Sequence, residues 1–174
     1  YDPDCCIGVS IISDDGSEWE LLREKAEAFF PDMRYVVAAS VHAATLATSG
    51  YSTSYKLCMY LSVRRDYIRG AFIMNGQFVP RQHERYSDFG EIRFSDGKNL
   101  IERVNGAKDN TDYARYIGGS IFNASRITFP DRVVVEIEDR ENVESLVDEM
   151  RDYVNKRCAE IGDTPPEIIC ADKR

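Results

Sequence analysis

From Asn142 to Ile161 the residues Val143, Leu146, Val147, Met150, Val154, Cys158 and Ile161 recur at the alternating three-and-four spacing that lines one side of an α-helix. A stripe of that length has to be covered by the rest of the chain, and a charge placed on it would damage the fold. Gly162 follows and suits the left-handed backbone that ends helices. Just ahead of the stripe, Arg132–Ile137 reads RVVVEI, the most strand-like run of the chain.

The remaining apolar runs are shorter. Cys6–Ile12 (CIGVSII) predicts a buried strand that stops at the turn-forming cluster Ser13–Gly16. Ser17-Glu18-Trp19-Glu20 has the form of a capping box, so a helix is expected to start there and to stop before Pro31. Its core face would be Trp19, Leu22, Ala26, Phe29 and Phe30. Tyr35–Leu46 could be strand or helix: its alanines favour a helix, whereas Val36, Val37, Val41 and the Thr/Ser cluster that follows favour the strand expected here. Tyr55–Val63 and Ile68–Met74 are strands separated by Arg64–Tyr67, a hairpin-length link, and Asn75-Gly76 closes the second with turn chemistry. Glu91–Phe94, the turn Ser95–Lys98 and Asn99–Val104 suggest a second hairpin. Between Asn105 and Ser125 the pattern supports only a short helix over Asp109–Ile117, with Gly118-Gly119 as a structural turn.

Strands joined this closely leave no room for helical crossovers, which parallel pairing requires. The expected fold class is therefore α+β, a mainly antiparallel sheet with two or three amphipathic helices packed on one face. One domain over residues 1–164 and a C-terminal tail over 165–174 are expected, with Glu167–Cys170 able to add an edge strand.

At 174 residues with 43% hydrophobic and 30% charged content, the chain can bury a core without disulfides or metal. The longest uncharged stretch, Tyr35–Tyr55, is too polar for a bilayer, so no membrane association is expected. The chain starts at Tyr1 with no basic, apolar leader, which points to an N-terminal segment removed ahead of it. Cys5, Cys6, Cys58, Cys158 and Cys170 are odd in number and irregular in spacing, favouring a reducing, cytoplasmic setting. With only His42 and His83 to join them, they lack the spacing of a zinc site, and no cofactor is expected.

The formal charge of −8 argues against general affinity for nucleic acid, but it is unevenly spread. From Tyr60 to Arg103, eight Lys/Arg stand against six Asp/Glu, interleaved with Tyr60, Tyr67, Phe72, Phe78, Tyr86, Phe89 and Phe94. Arginine contacts phosphate through a planar fork and stacks on rings, and aromatic side chains hold bases. Arg64, Arg65, Tyr67, Arg69, Arg81 and Arg85 are accordingly the candidate ligand contacts.

Catalytic motifs are missing. No glycine-rich phosphate loop and no nucleophile elbow is present. His42 reads as a buried histidine and His83 as a solvated one. The best enzymatic pattern is Asp131 with Glu136 and Glu138, carboxylates along a strand that could face a Mg²⁺ ion in a nuclease or phosphodiesterase. The lysine that nucleases resembling restriction enzymes place after the second acid is absent. The leading expectation is thus a non-catalytic binding or regulatory module with an arginine and aromatic sheet surface, its partner a protein, a nucleotide or a nucleic acid. A Mg²⁺-dependent nuclease is the alternative. A third is a structural or assembly subunit, whose exposed strand edges would also permit a homodimer.

Overall fold

The structure is a computed structural model that describes residues 8–13, 19–29, 34–39, 56–75, 77–78, 87–138 and 140–171. The first elements form a β-α-β unit. β1 (Gly8–Ser13) and β2 (Arg34–Ala39) pair in parallel, and α1 (Trp19–Phe29) connects them. On α1, Leu22 and Ala26 are half-buried as the spacing predicts, but Phe29 is 80% exposed and does not belong to a core face. Tyr35–Ala39 is strand; His42 and the rest of that run lie outside the described residues.

The main sheet is built on β3 (Leu57–Val63), which is hydrogen-bonded on both sides and buried along nearly its whole length. The turn Arg64–Tyr67, closed by the Arg64 N–H donating to the Tyr67 carbonyl at 2.9 Å, returns the chain antiparallel as β4 (Ile68–Met74). Asn75 takes a left-handed conformation, φ 52°, and leads into β5 (Gln77–Phe78). β6 (Ser87–Asp88) also pairs with β4, and a 3-10 turn at Phe89–Glu91 follows. Phe89 seats on Gly70, where a Cβ would come within 2.4 Å of its ring.

Two helices then carry the chain over the sheet. α2 (Leu100–Asn105) occupies the span expected to be the return strand of a second hairpin. Asn99 accepts from the Glu102 N–H at 2.9 Å, and the Glu102 carboxylate accepts from the Asn99 N–H at 2.8 Å. This reciprocal cap nucleates a helix where the turn Ser95–Lys98 suggests the return strand of a hairpin. α3 (Asn110–Thr128) runs without a break through Gly118-Gly119, which is therefore no turn. β7 (Arg132–Ile137) follows, then α4 (Val143–Glu160) and β8 (Glu167–Cys170).

With α2 and α3 inserted between β4 and β7, the crossover that parallel pairing needs is available. β7 lies parallel to β3, and β8 lies parallel to β7, in the order β5-β4-β3-β7-β8. The protein is a mixed α+β structure as expected, but its sheet is mostly parallel rather than antiparallel: of the pairings between strands of four or more residues, only β3–β4 is antiparallel. Residues 167–170 form the edge strand foreseen there, with Ile168 fully packed.

One face of the sheet presents Met59, Leu61, Val63, Ile68, Val133, Val135 and Ile137 to the helices. Leu100 and Val104 from α2, Ile117 and Ile121 from α3, and Leu146, Met150 and Val154 from α4 complete that core. The stripe on α4 is buried from Val143 to Cys158, but Ile161 lies past the helix end and is 49% exposed. The opposite face carries a smaller cluster of Cys58, Tyr60, Ala71 and Val134.

The α3–α4 contact depends on the missing side chain at Gly118, where an added Cβ would sit 3.1 Å from Tyr153 Cδ1 and 3.4 Å from the Met150 carbonyl. At Gly119 the nearest atom is 3.9 Å away. Gly119→Ala should therefore raise unfolding free energy by about 0.5–1 kcal/mol through helix propensity, whereas Gly118→Val should lower it by about 1–3 kcal/mol through overpacking. Urea unfolding followed by circular dichroism reads both; effects of the same sign would contradict the close approach of the two helices.

Candidate functional site

Parallel strands bring their carboxyl ends to one edge of a sheet, and the helices that return the chain begin there. In open sheets of this kind ligands sit in the crevice outside those ends. Here the edge is formed by Val63, Ile137 and Cys170 at the ends of β3, β7 and β8, and by the first turns of α3 and α4. Two clefts open along it.

The larger, of 810 Å³, is lined by Asn110 at the start of α3, by Asn142, Val143, Glu144 and Ser145 at the start of α4, and by Cys170 and Ala171. Asn142 precedes α4 in a left-handed conformation, φ 55°, and its side chain makes no capping hydrogen bond. The first-turn N–H groups of a helix have no partner within the helix and carry the positive end of its dipole, which favours an anion. Among the described residues of this lining, Glu144 supplies the one carboxylate.

The smaller cleft, of 410 Å³, is lined by Val63, Arg64, Arg65, Val104, Asn105, Tyr113 and Arg140. Three arginines converge on it. Arg64 is ion-paired to Glu138 and lies 5.2 Å from the centre of the Tyr67 ring. Arg140 lies 4.5 Å from the centre of the buried Tyr113 ring. Asn105 donates to the Arg65 carbonyl at 2.9 Å, tying α2 to the β3–β4 turn. A guanidinium laid on a ring keeps its edge donors in a fixed plane, the geometry that matches phosphate or carboxylate oxygens.

Of the residues singled out from sequence, Arg64 and Arg65 line this cleft. Tyr67 lies beside them, and Arg69 stacks on the Tyr67 ring at 4.2 Å. Arg81 and Arg85, like His83, lie outside the described residues. The three acids do not converge. The Asp131 carboxylate, at the amino end of β7, accepts from the Leu57 N–H at 2.8 Å. Glu138 lies past the other end of that strand, roughly 20 Å away at the rise of extended chain. Glu136 accepts from the Ser62 hydroxyl at 2.8 Å, and Glu138 pairs with Arg64. Among the described residues no group of three or more His, Cys, Asp or Glu side chains is placed to hold a metal ion.

Sequence reasoning missed Arg140, Tyr113, Asn110 and Asn142. Had β7 been read as parallel, the link between it and the next helix would have been the first place to look, and that link holds Arg140 and Asn142.

The sheet order and the helices between the strands define a mixed α+β fold with a mostly parallel sheet. No known family profile matches the sequence, and no curated protein matches it. Solved structures do match. The ROK hexokinase from Thermus thermophilus aligns with a TM-score of 0.67 at 15% identity, over 87% of this chain and 64% of the hexokinase. The ROK family glucokinase from Streptomyces griseus, in complex with glucose and AMPPNP, aligns with a TM-score of 0.58 at 14% identity, over 86% of this chain and 67% of that one. A ROK family transcriptional regulator, a homolog of the E. coli MLC protein, aligns at 0.59 and 11% identity, over 86% and 51%.

The chain thus has the fold of ROK-family proteins and spans less than two thirds of the hexokinase. This likeness in fold to sugar kinases overturns the expectation of a non-catalytic binding or regulatory module. The nuclease reading falls for the same reason, and its three acids are spread along the strand rather than gathered. Among the described residues no helix is long and apolar enough to cross a membrane.

Cys170 gives the larger cleft a chemical probe. Burial raises the thiol pKa of both Cys58 and Cys158 above its ordinary value. A maleimide applied to the native protein should modify Cys170 well ahead of those two, as read by peptide mapping; equal rates at all three would mean that the cleft is closed to solvent.

Proposed function

We propose that this chain is part of a ROK-type sugar kinase, working in the cytoplasm, in which the carboxyl-edge clefts hold the phosphates of a nucleoside triphosphate during phosphoryl transfer to a hexose-type sugar. The observation that carries this reading is the likeness of fold to ROK-family sugar kinases over 86–87% of the chain. Free thiols at Cys58 and Cys158 fit a reducing compartment.

Phosphoryl transfer requires positioning and charge stabilisation more than covalent chemistry from the protein. Arg64, Arg65 and Arg140 would neutralise phosphate oxygens, and the first-turn N–H groups of α4 would add to them. Tyr67 and Arg69 would act as positioning residues, holding the Arg64 guanidinium flat beside the cleft. Arg81 and Arg85, which lie outside the described residues, are proposed as further contacts on the sequence pattern alone. The sugar is expected near the same edge, since the transferred group must reach its hydroxyl.

Calorimetric titration with AMPPNP and Mg²⁺ tests nucleotide binding. Incubation with MgATP and glucose, mannose or N-acetylmannosamine, read by mass spectrometry, tests transfer. Arg140→Gln and Arg64→Gln should each weaken nucleotide binding about tenfold or more, the effect of losing one charge-assisted hydrogen bond, with the circular dichroism spectrum unchanged. Absence of both nucleotide binding and sugar phosphate would overturn the reading. Binding that neither substitution alters would move the site away from this edge.

A further inference from the structure

A third concave site lies on the outer surface of α2, α3 and α4 and shares no residue with the two clefts at the strand ends. It is a groove of 290 Å³ whose lining includes Phe94, Tyr116, Gly119, Phe122, Asn123 and Tyr153. Three arginines, Arg103, Arg115 and Arg157, border it.

Each guanidinium lies against a ring. Arg103 is 4.1 Å from the centre of Phe94 and 5.4 Å from that of Tyr116. Arg115 is 5.3 Å from Tyr116, and Arg157 is 5.4 Å from Phe122. Each is also held by one carboxylate through one terminal nitrogen: Arg103 by Asp96 at 2.9 Å, Arg115 by Asp112 at 2.9 Å and Arg157 by Glu160 at 2.6 Å. A guanidinium has five N–H donors, so a single acid leaves most of the fork unused. The Nε of Arg103 is buried with no hydrogen-bond partner, a condition that costs about 1–3 kcal/mol unless something meets it.

Each guanidinium's charge is offset by its own carboxylate, so what the groove offers an anion is the set of N–H donors left over. The rings remove the freedom that arginine side chains would otherwise lose on binding, so a ligand meets donors already in place. The same rings offer apolar planes on which a flat molecule can stack. The cavity is at the small end of ligand pockets, large enough for one ring system and an acid group and too small for a polymer segment.

We infer that this groove binds a small planar organic anion, an aromatic or heterocyclic ring bearing a carboxylate or phosphate group. The acid group takes the unused guanidinium donors, and the ring lies between Tyr116 and Phe122. This site does not depend on the kinase reading, because it lies apart from the strand ends.

Calorimetry and saturation-transfer NMR on the whole chain, with phenyl phosphate, benzoate, phenol and inorganic phosphate as probes, test it. Phenyl phosphate should bind saturably, about tenfold more tightly than inorganic phosphate or phenol. Arg115→Gln and Arg157→Gln should each reduce its affinity about tenfold; both side chains are about half exposed, which keeps the variants folded. Arg157→Lys should retain part of the affinity, because charge remains while the planar fork is lost. Arg140→Gln at the strand ends should leave phenyl phosphate binding unchanged. The inference is overturned by absence of saturable binding, by equal affinity for inorganic phosphate, or by binding that Arg140→Gln abolishes while Arg115→Gln and Arg157→Gln retain it.

Discussion

The parallel pairing of β3 with β7 is the constraint from which the rest of the molecule follows. Both strands are buried on both faces, so their backbone groups have no recourse to water and must satisfy each other. Three polar ties run along the pair: Asp131 to the Leu57 N–H, Ser62 to Glu136, and Arg64 to Glu138. A slip of one residue would break all three and turn Met59, Leu61 and Val63 away from the helices. The carboxylates that resemble a metal ladder in one dimension therefore act in three dimensions as pins that hold the register.

Parallel pairing in turn dictates the helices. A chain that leaves the top of one strand and must re-enter at the bottom of its neighbour has to cross the sheet, and α3 and α4 do so side by side. Their approach is close because Gly118 presents no side chain to Met150 and Tyr153. Both helices begin at the carboxyl edge, which places two positive dipole ends beside Arg64, Arg65 and Arg140. The candidate site is thus a by-product of topology: any chain wound this way concentrates positive potential where the parallel strands end.

What could be read along the chain was whatever depends on near neighbours. The α4 stripe, the β3–β4 hairpin and the RVVVEI strand are set by local periodicity and turn chemistry, and the structure contains all three. Direction of pairing is not local. It hinged on whether residues 99–128 hold helices, and two short-range features there were misread. Asn99 and Glu102 form the same reciprocal cap that Ser17 and Glu20 suggest, but the turn Ser95–Lys98 just before them reads as the turn of a hairpin. Gly118-Gly119 looked like a break because glycine usually marks one, whereas here it is kept inside a helix for the sake of a partner 32–35 residues further on, Met150 and Tyr153. With those helices absent, the sheet had to be drawn antiparallel, and its binding edge could not be located. Arg64 and Arg65 were still singled out, because composition marks arginine and aromatic residues wherever they fall. Arg140 stands outside that patch, and only the fold brings it to Arg64.

The same device recurs at the smaller strand-end cleft and at the groove on the helices. Arg64 rests by Tyr67 and is tied to Glu138, while Arg103 rests on Phe94 and is tied to Asp96. Arg115 and Arg157 repeat it with Tyr116 and Phe122. Its value follows from the net charge of −8, which gives the chain no long-range attraction for anions. An acidic protein that is to hold phosphate or carboxylate must do so at short range, with donors whose rotamer freedom has been removed in advance by a ring and whose orientation is set by one acid. Such sites discriminate by geometry more than by charge, because the nearby carboxylates cancel much of the field and leave the direction of the N–H groups to decide what fits.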